Sequence, residues 1–104
     1  MPAQLPSKVE ELKDFLENFF KSRNIPVRVI LFGSRARGTH TEHSDVDLAF
    51  DSRENLEEVV RELMELLEES PLPQKVDLII LSKVNDRFKE EIRKEGIVWI
   101  DLTR

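Results

Sequence analysis

Hydrophobic positions along this chain switch between helical and strand periodicity, and the switches mark out its elements. Val9, Leu12, Phe15, Leu16, Phe19 and Phe20 recur at helical spacing, which predicts an amphipathic helix running to about Ser22 with one face for a sheet. Ser7 and Glu10 stand before it at capping-box spacing. Asn24-Ile25-Pro26 breaks the pattern, because proline disfavours helix in the residue before it. Val27 to Phe32 then reads as a buried strand that stops at Gly33. Residues 35–44 are polar and predict a short helical turn followed by a loop. From Asp45 to about Asp51 the apolar residues alternate around Asp47, so a second strand is expected with Asp45 and Asp47 on one face.

Leu56, Val59, Val60, Leu63, Leu66 and Leu67 return to helical spacing, and Ser70-Pro71-Leu72-Pro73 closes that helix. The next apolar run, Val76 to Leu81, is a third strand. A strand, a helix and a strand in this order form a crossover long enough for parallel pairing, which would bring Asp45 and Asp77 to the same end of neighbouring strands. A third helix is expected around Asn85 to Lys94, with Phe88 and Ile92 inward and a stop at Gly96, followed by a last strand, Ile97 to Ile100. Trp99 and the Phe15, Phe19, Phe20 group read as core. The whole predicts an α/β (α+β) fold, a small mixed β-sheet flanked by helices, in a single domain spanning residues 1–104 without internal repeats.

Composition narrows the function classes. With 104 residues there is room for one small core and not for a separate substrate-binding domain. The chain has no cysteine, which excludes disulfides and thiolate zinc sites; with no signal peptide or long apolar span, a cytoplasmic protein without a membrane partner is expected. A net charge of −5 argues against stable, sequence-independent nucleic-acid binding, which needs basic surface to neutralise phosphates. His40 and His43 lie in a polar loop with no zinc-motif context and read as loop residues. The Glu-rich stretch from Glu54 to Glu69 reads as the solvated face of its helix.

Candidate chemistry concentrates where the first two strands meet. A glycine after a buried strand lets the backbone turn sharply and approach a ligand closely, so Gly33 and Ser34 are candidates for holding phosphate through backbone N–H groups and a hydroxyl. Asp45 and Asp47 repel one another unless a cation joins them, and Mg²⁺ takes oxygen ligands from one or two carboxylates together with substrate phosphates. Asp77 is the candidate third ligand. Arg35 and Arg37, beside the Gly33 turn, are candidate phosphate or partner contacts.

The Gly33-Ser34 pair after an apolar strand, the ten-residue spacer, Asp45-Val46-Asp47 and the later Asp77 together resemble the DNA polymerase β-like nucleotidyltransferase superfamily. Gly33-Ser34-Arg35-Ala36-Arg37-Gly38 is similar to the motif of its minimal nucleotidyltransferases, the MNT or MntA-type antitoxins. The resemblance implies that Asp45, Asp47 and Asp77 hold two Mg²⁺ ions, that Gly33 and Ser34 grip the β- and γ-phosphates of ATP, and that AMP passes to a hydroxyl. It further implies a tyrosine of a HEPN ribonuclease toxin as acceptor, in a hetero-oligomer with a toxin encoded elsewhere. The chain has no tyrosine of its own to modify. Two other readings stay open on the residues alone: a non-catalytic module that neutralises a partner sterically, and a nucleotidyltransferase for a small hydroxylated molecule.

Overall fold

A computed structural model describes residues 5–103 of the chain. Its first helix, α1 (Val9–Ser22), buries Leu12, Phe15, Leu16, Phe19 and Phe20, the residues that the 3.6 period places on one face. The capping arrangement differs from the expected box. Ser7 donates through both its amide and its hydroxyl to Glu11 Oε1, at 2.9 and 2.7 Å, and Lys8 occupies the N-cap position without a side-chain bond. Glu11, one residue beyond Glu10, makes the reach.

The strands follow the apolar runs: β1 (Arg28–Phe32), β2 (Val46–Asp51), β3 (Val76–Ile80) and β4 (Ile97–Asp101). Between β1 and β2 lies α2 (Ser34–Arg37), a single turn; between β2 and β3 lies α3 (Glu57–Glu68). A 3₁₀ turn, Leu81–Lys83, leads into α4 (Asp86–Glu95). The Asn85 side chain caps α4 by accepting from the Phe88 amide at 2.8 Å, which satisfies one of the unpaired amides of the first turn.

The sheet runs β3-β2-β1-β4. β1 is antiparallel to both β2 and β4, and β2 is parallel to β3 across the α3 crossover, so the sheet is mixed as the sequence predicts. Period-two alternation divides the strands between two cores. Val29, Val46, Leu48, Phe50 and Ile100 face α1 and α3 in the larger core, where Phe20 and Phe50 have no exposed surface and sit with ring centroids 5.5 Å apart. Each such side chain contributes roughly 1.5–3 kcal/mol by leaving water, so this layer anchors the sheet. Ile30, Ala49, Leu81 and Ile92 form a smaller core under α4, with Phe32 and Phe88 edge-to-face at its margin. Trp99 is only half-buried, packed against the larger core. That division matters because Asp47 and Asp77, by alternation with Ala49 and Ile79, belong to the sheet face that α4 covers only in part.

Candidate active site

At the end of β1 the backbone turns at Gly33, with φ 76° and ψ −155°, a conformation that L side chains rarely adopt. The carbonyl of Gly33 accepts from the amides of Ala36 and Arg37, at 3.1 Å each, and these bonds close the turn of α2. Space gives a second reason for glycine. A Cβ at this position would collide with the Asp47 carboxylate, its nearest atom being Oδ2. The strand register produces that contact, since Phe32 lies opposite Asp47.

On its other side Asp47 is the register partner of Asp77 in the parallel β2–β3 ladder. Partial burial, then the charges of Asp77 and Asp45, hold the Asp47 carboxyl above the usual carboxylate range; a hydrogen bond with Asp77 acts in the same direction, and the Arg37 charge opposes it. Asp45 is exposed and falls one residue before β2 begins. The expected alignment is therefore refined: the ladder sets Asp77 level with Asp47, and Asp45 stands at the strand entrance. Lys75 offsets part of the negative charge with an ion pair to Asp77 at 3.5 Å. Among the described residues, no three His, Cys, Asp or Glu side chains are drawn into a closed metal cluster. Asp47 and Asp77 stand together while Asp45 keeps to the strand entrance, and an oxygen-only donor set of this kind fits a hard divalent cation.

The two arginines part company. Arg37 is exposed and pairs with Glu95 of α4 at 3.5 Å, beside a small cavity next to Gly33 that Phe32, Phe88 and Ile92 also line. Arg35 turns toward the following loop: its Nε and one terminal nitrogen donate to Ser44 O at 3.3 and 3.1 Å, and that nitrogen also donates to Glu42 O at 3.3 Å. Gln74 Nε2 reaches the same Glu42 carbonyl at 2.9 Å from the segment before β3. Sequence reasoning missed this convergence and the Arg37–Glu95 pair, because periodicity does not say which carbonyl or carboxylate a long side chain meets. His40 and His43 are exposed loop residues.

A mixed sheet that sets a Gly-Ser turn against carboxylates on adjacent strands defines a protein of the nucleotidyltransferase class. The sequence matches the family described as "Polymerase beta, Nucleotidyltransferase" over residues 13–102. It is 38% identical over 97 residues, 92% of this chain and 84% of the relative, to the "Probable protein adenylyltransferase MntA" of Haemophilus influenzae. MJ1379 of Methanocaldococcus jannaschii, which bears a provisional name for the same activity, is 30% identical over 90% of this chain and 96% of its own length. Two solved structures share the fold at 20% identity and a TM-score of 0.62. One is a toxin–antitoxin crystallised with AMP-PNP, matched over 86% of this chain and 73% of that one. The other is a tri-AMPylated HEPN toxin of Shewanella oneidensis in complex with MNT antitoxin, matched over 86% and 69%. The chain belongs to the polymerase β nucleotidyltransferase family, in its small, MntA-like form.

Proposed function

We propose that this protein, as a single minimal domain, is a Mg²⁺-dependent adenylyltransferase that moves AMP from ATP to a tyrosine hydroxyl of a HEPN ribonuclease toxin, whose antitoxin it is. The observation that carries the reading is the β2–β3 register, which puts Asp77 beside Asp47, whose carboxylate in turn lies against the Gly33 turn. The names of the H. influenzae and M. jannaschii relatives support adenylyl transfer to protein, and the S. oneidensis complex, an AMPylated HEPN toxin with its antitoxin, supports the partner.

Asp45 and Asp47 would hold the metal that accompanies ATP, and Asp77 would share the one nearest the acceptor. When bound, Mg²⁺, expected as two ions, neutralises charge on the phosphate oxygens and makes the acceptor hydroxyl a better nucleophile. The side chains of this protein do the positioning. The backbone amides of the Gly33–Ser34 turn and Ser34 Oγ would donate to the β- and γ-phosphates. Arg37, exposed at the same corner, is placed to leave Glu95 for the incoming triphosphate. The acceptor oxygen forms a bond to the α-phosphorus while the bond from that phosphorus to the β-bridging oxygen breaks. The hydroxyl proton is released and pyrophosphate departs.

Incubation of the protein with its candidate partner, ATP and Mg²⁺, followed by intact-mass measurement, tests the reading. Wild type is expected to add adenylyl mass to a partner tyrosine, and the partner should stay inactive after repurification. Asp77→Asn is expected to bind the partner and add no mass. If that variant neutralises the partner as fully as wild type after ATP depletion, the protein acts by steric blocking and not by transfer.

A further inference from the structure

Three segments carry the groups of the site: the turn from Gly33 to Arg35, the stretch from Glu42 to Asp47, and the segment from Gln74 to Asp77. Two side chains tie them together. Arg35 spans the carbonyls of Glu42 and Ser44, and Gln74 also donates to Glu42 O, from the segment before β3. The Ser44 carbonyl belongs to the peptide plane that begins Asp45, so holding that oxygen fixes the direction in which the Asp45 backbone enters β2. A backbone bond from the Val46 amide to Lys75 O, 2.9 Å, ties the next residue to β3. Asp45 itself is exposed and lies outside the ladder, so it lacks the register constraint that places Asp47 and Asp77.

We infer that Arg35 and Gln74 are positioning residues, a clasp on the Glu42 and Ser44 carbonyls that aligns Asp45 with the Asp47–Asp77 pair. A planar guanidinium suits the task, since it presents several donors in a rigid fork, whereas a lysine ammonium is a single charged point on a flexible stem. The geometry reassigns Arg35: its Nε and one terminal nitrogen are engaged by the loop, whereas Arg37 is exposed and meets the Glu95 carboxylate. The inference rests on the metal-site reading above, so its test has one arm that does not need metal or turnover.

Amide hydrogen exchange on the metal-free protein is that arm. The Ser44 amide donates to Thr41 O at 3.2 Å within the clasped loop, and Arg35→Gln is expected to speed its exchange by about tenfold or more while Leu48 and Phe50 keep their protection. In the second arm, Mn²⁺ titrated by water-proton relaxation is expected to bind Arg35→Gln about 10-fold more weakly, the usual cost of losing a group that orients a ligand. Arg35→Lys should fail to restore either quantity, and Gln74→Ala should shift both in the same direction by less. Gln74→Ala also decides the matter if Arg35→Gln does not fold. Unchanged Ser44 exchange in these variants, or wild-type behaviour of Arg35→Lys, overturns the clasp. Weaker ATP binding by Arg35→Gln with Mn²⁺ affinity intact also overturns it and makes Arg35 a phosphate contact. A wild type that binds no Mn²⁺ sinks the metal-site reading, while the exchange arm still judges the clasp.

Discussion

In the proposed site, Asp47 has to be an anion where anions are disfavoured. Its proton affinity is raised chiefly by burial and next by the charges of Asp77 and Asp45, so without a cation the ionised form destabilises the fold. The sign follows from linkage. A carboxyl whose folded pKa lies above its unfolded value costs stability in full above the folded pKa, and the cost fades as pH falls through that value toward the unfolded one. Asp47→Asn is therefore expected to raise the Tm of the metal-free protein at neutral pH, with a gain that shrinks on acidification through the Asp47 titration range. Melting curves over a pH series would check it, and a gain independent of pH would refute it. Gly33 shows how far this scale was legible. That a glycine was needed after a buried strand could be read from the run itself. That its missing Cβ makes room for the carboxylate of Asp47 could not, because the contact depends on the antiparallel partner. A side chain at Gly33 would thus strain the backbone and displace a site acid together.

At the scale of elements, the helices and strands announced themselves through periodicity, and their ends did so through proline pairs and polar runs. The stop of α4 shows a right answer with a different cause. Gly96 ends the helix as expected, yet its φ of −74° and ψ of 156° are open to any residue. What requires glycine is packing: a Cβ there would strike the Ile92 carbonyl and the Ile30 side chain. Gly96→Ala is accordingly expected to destabilise the protein by about 1–3 kcal/mol, as overpacking does, by forcing α4 away from β1. Urea denaturation would measure the loss. A stability equal to wild type would show that α4 can shift at no cost. The register of β2 against β3 was the part that periodicity could not supply. Alternation says which face a residue takes, and the partner opposite it is chosen by long-range packing of Leu48, Phe50 and the strands around them.

For the whole molecule, the order of elements predicted a mixed sheet with helices, and the observed topology has that form. No helix among the described residues is long and apolar enough to cross a membrane. The site lies where β1, β2 and β3 meet and draws nothing from β4. Magnesium should then act as a ligand of the native state alone. At a free concentration one hundred times its Kd, it is expected to add about 2.7 kcal/mol to unfolding, visible as a rise in Tm that Asp77→Asn largely removes. An equal rise in that variant would mean that the ion binds elsewhere.

The parallel β2–β3 ladder has one more consequence, and it concerns time. Asp47 and Asp77 are separated in sequence by the whole of α3, so their meeting closes a long loop and comes at an entropic cost that only the finished crossover recovers. An emerging or partly unfolded chain can hold its first helix and its β1–β2 hairpin, with Asp45 at the entrance of β2 and Asp47 within it, and still lack the third acid. The proposed site is thereby complete only once the crossover has closed, and a half-made copy lacks the acid assigned to the acceptor.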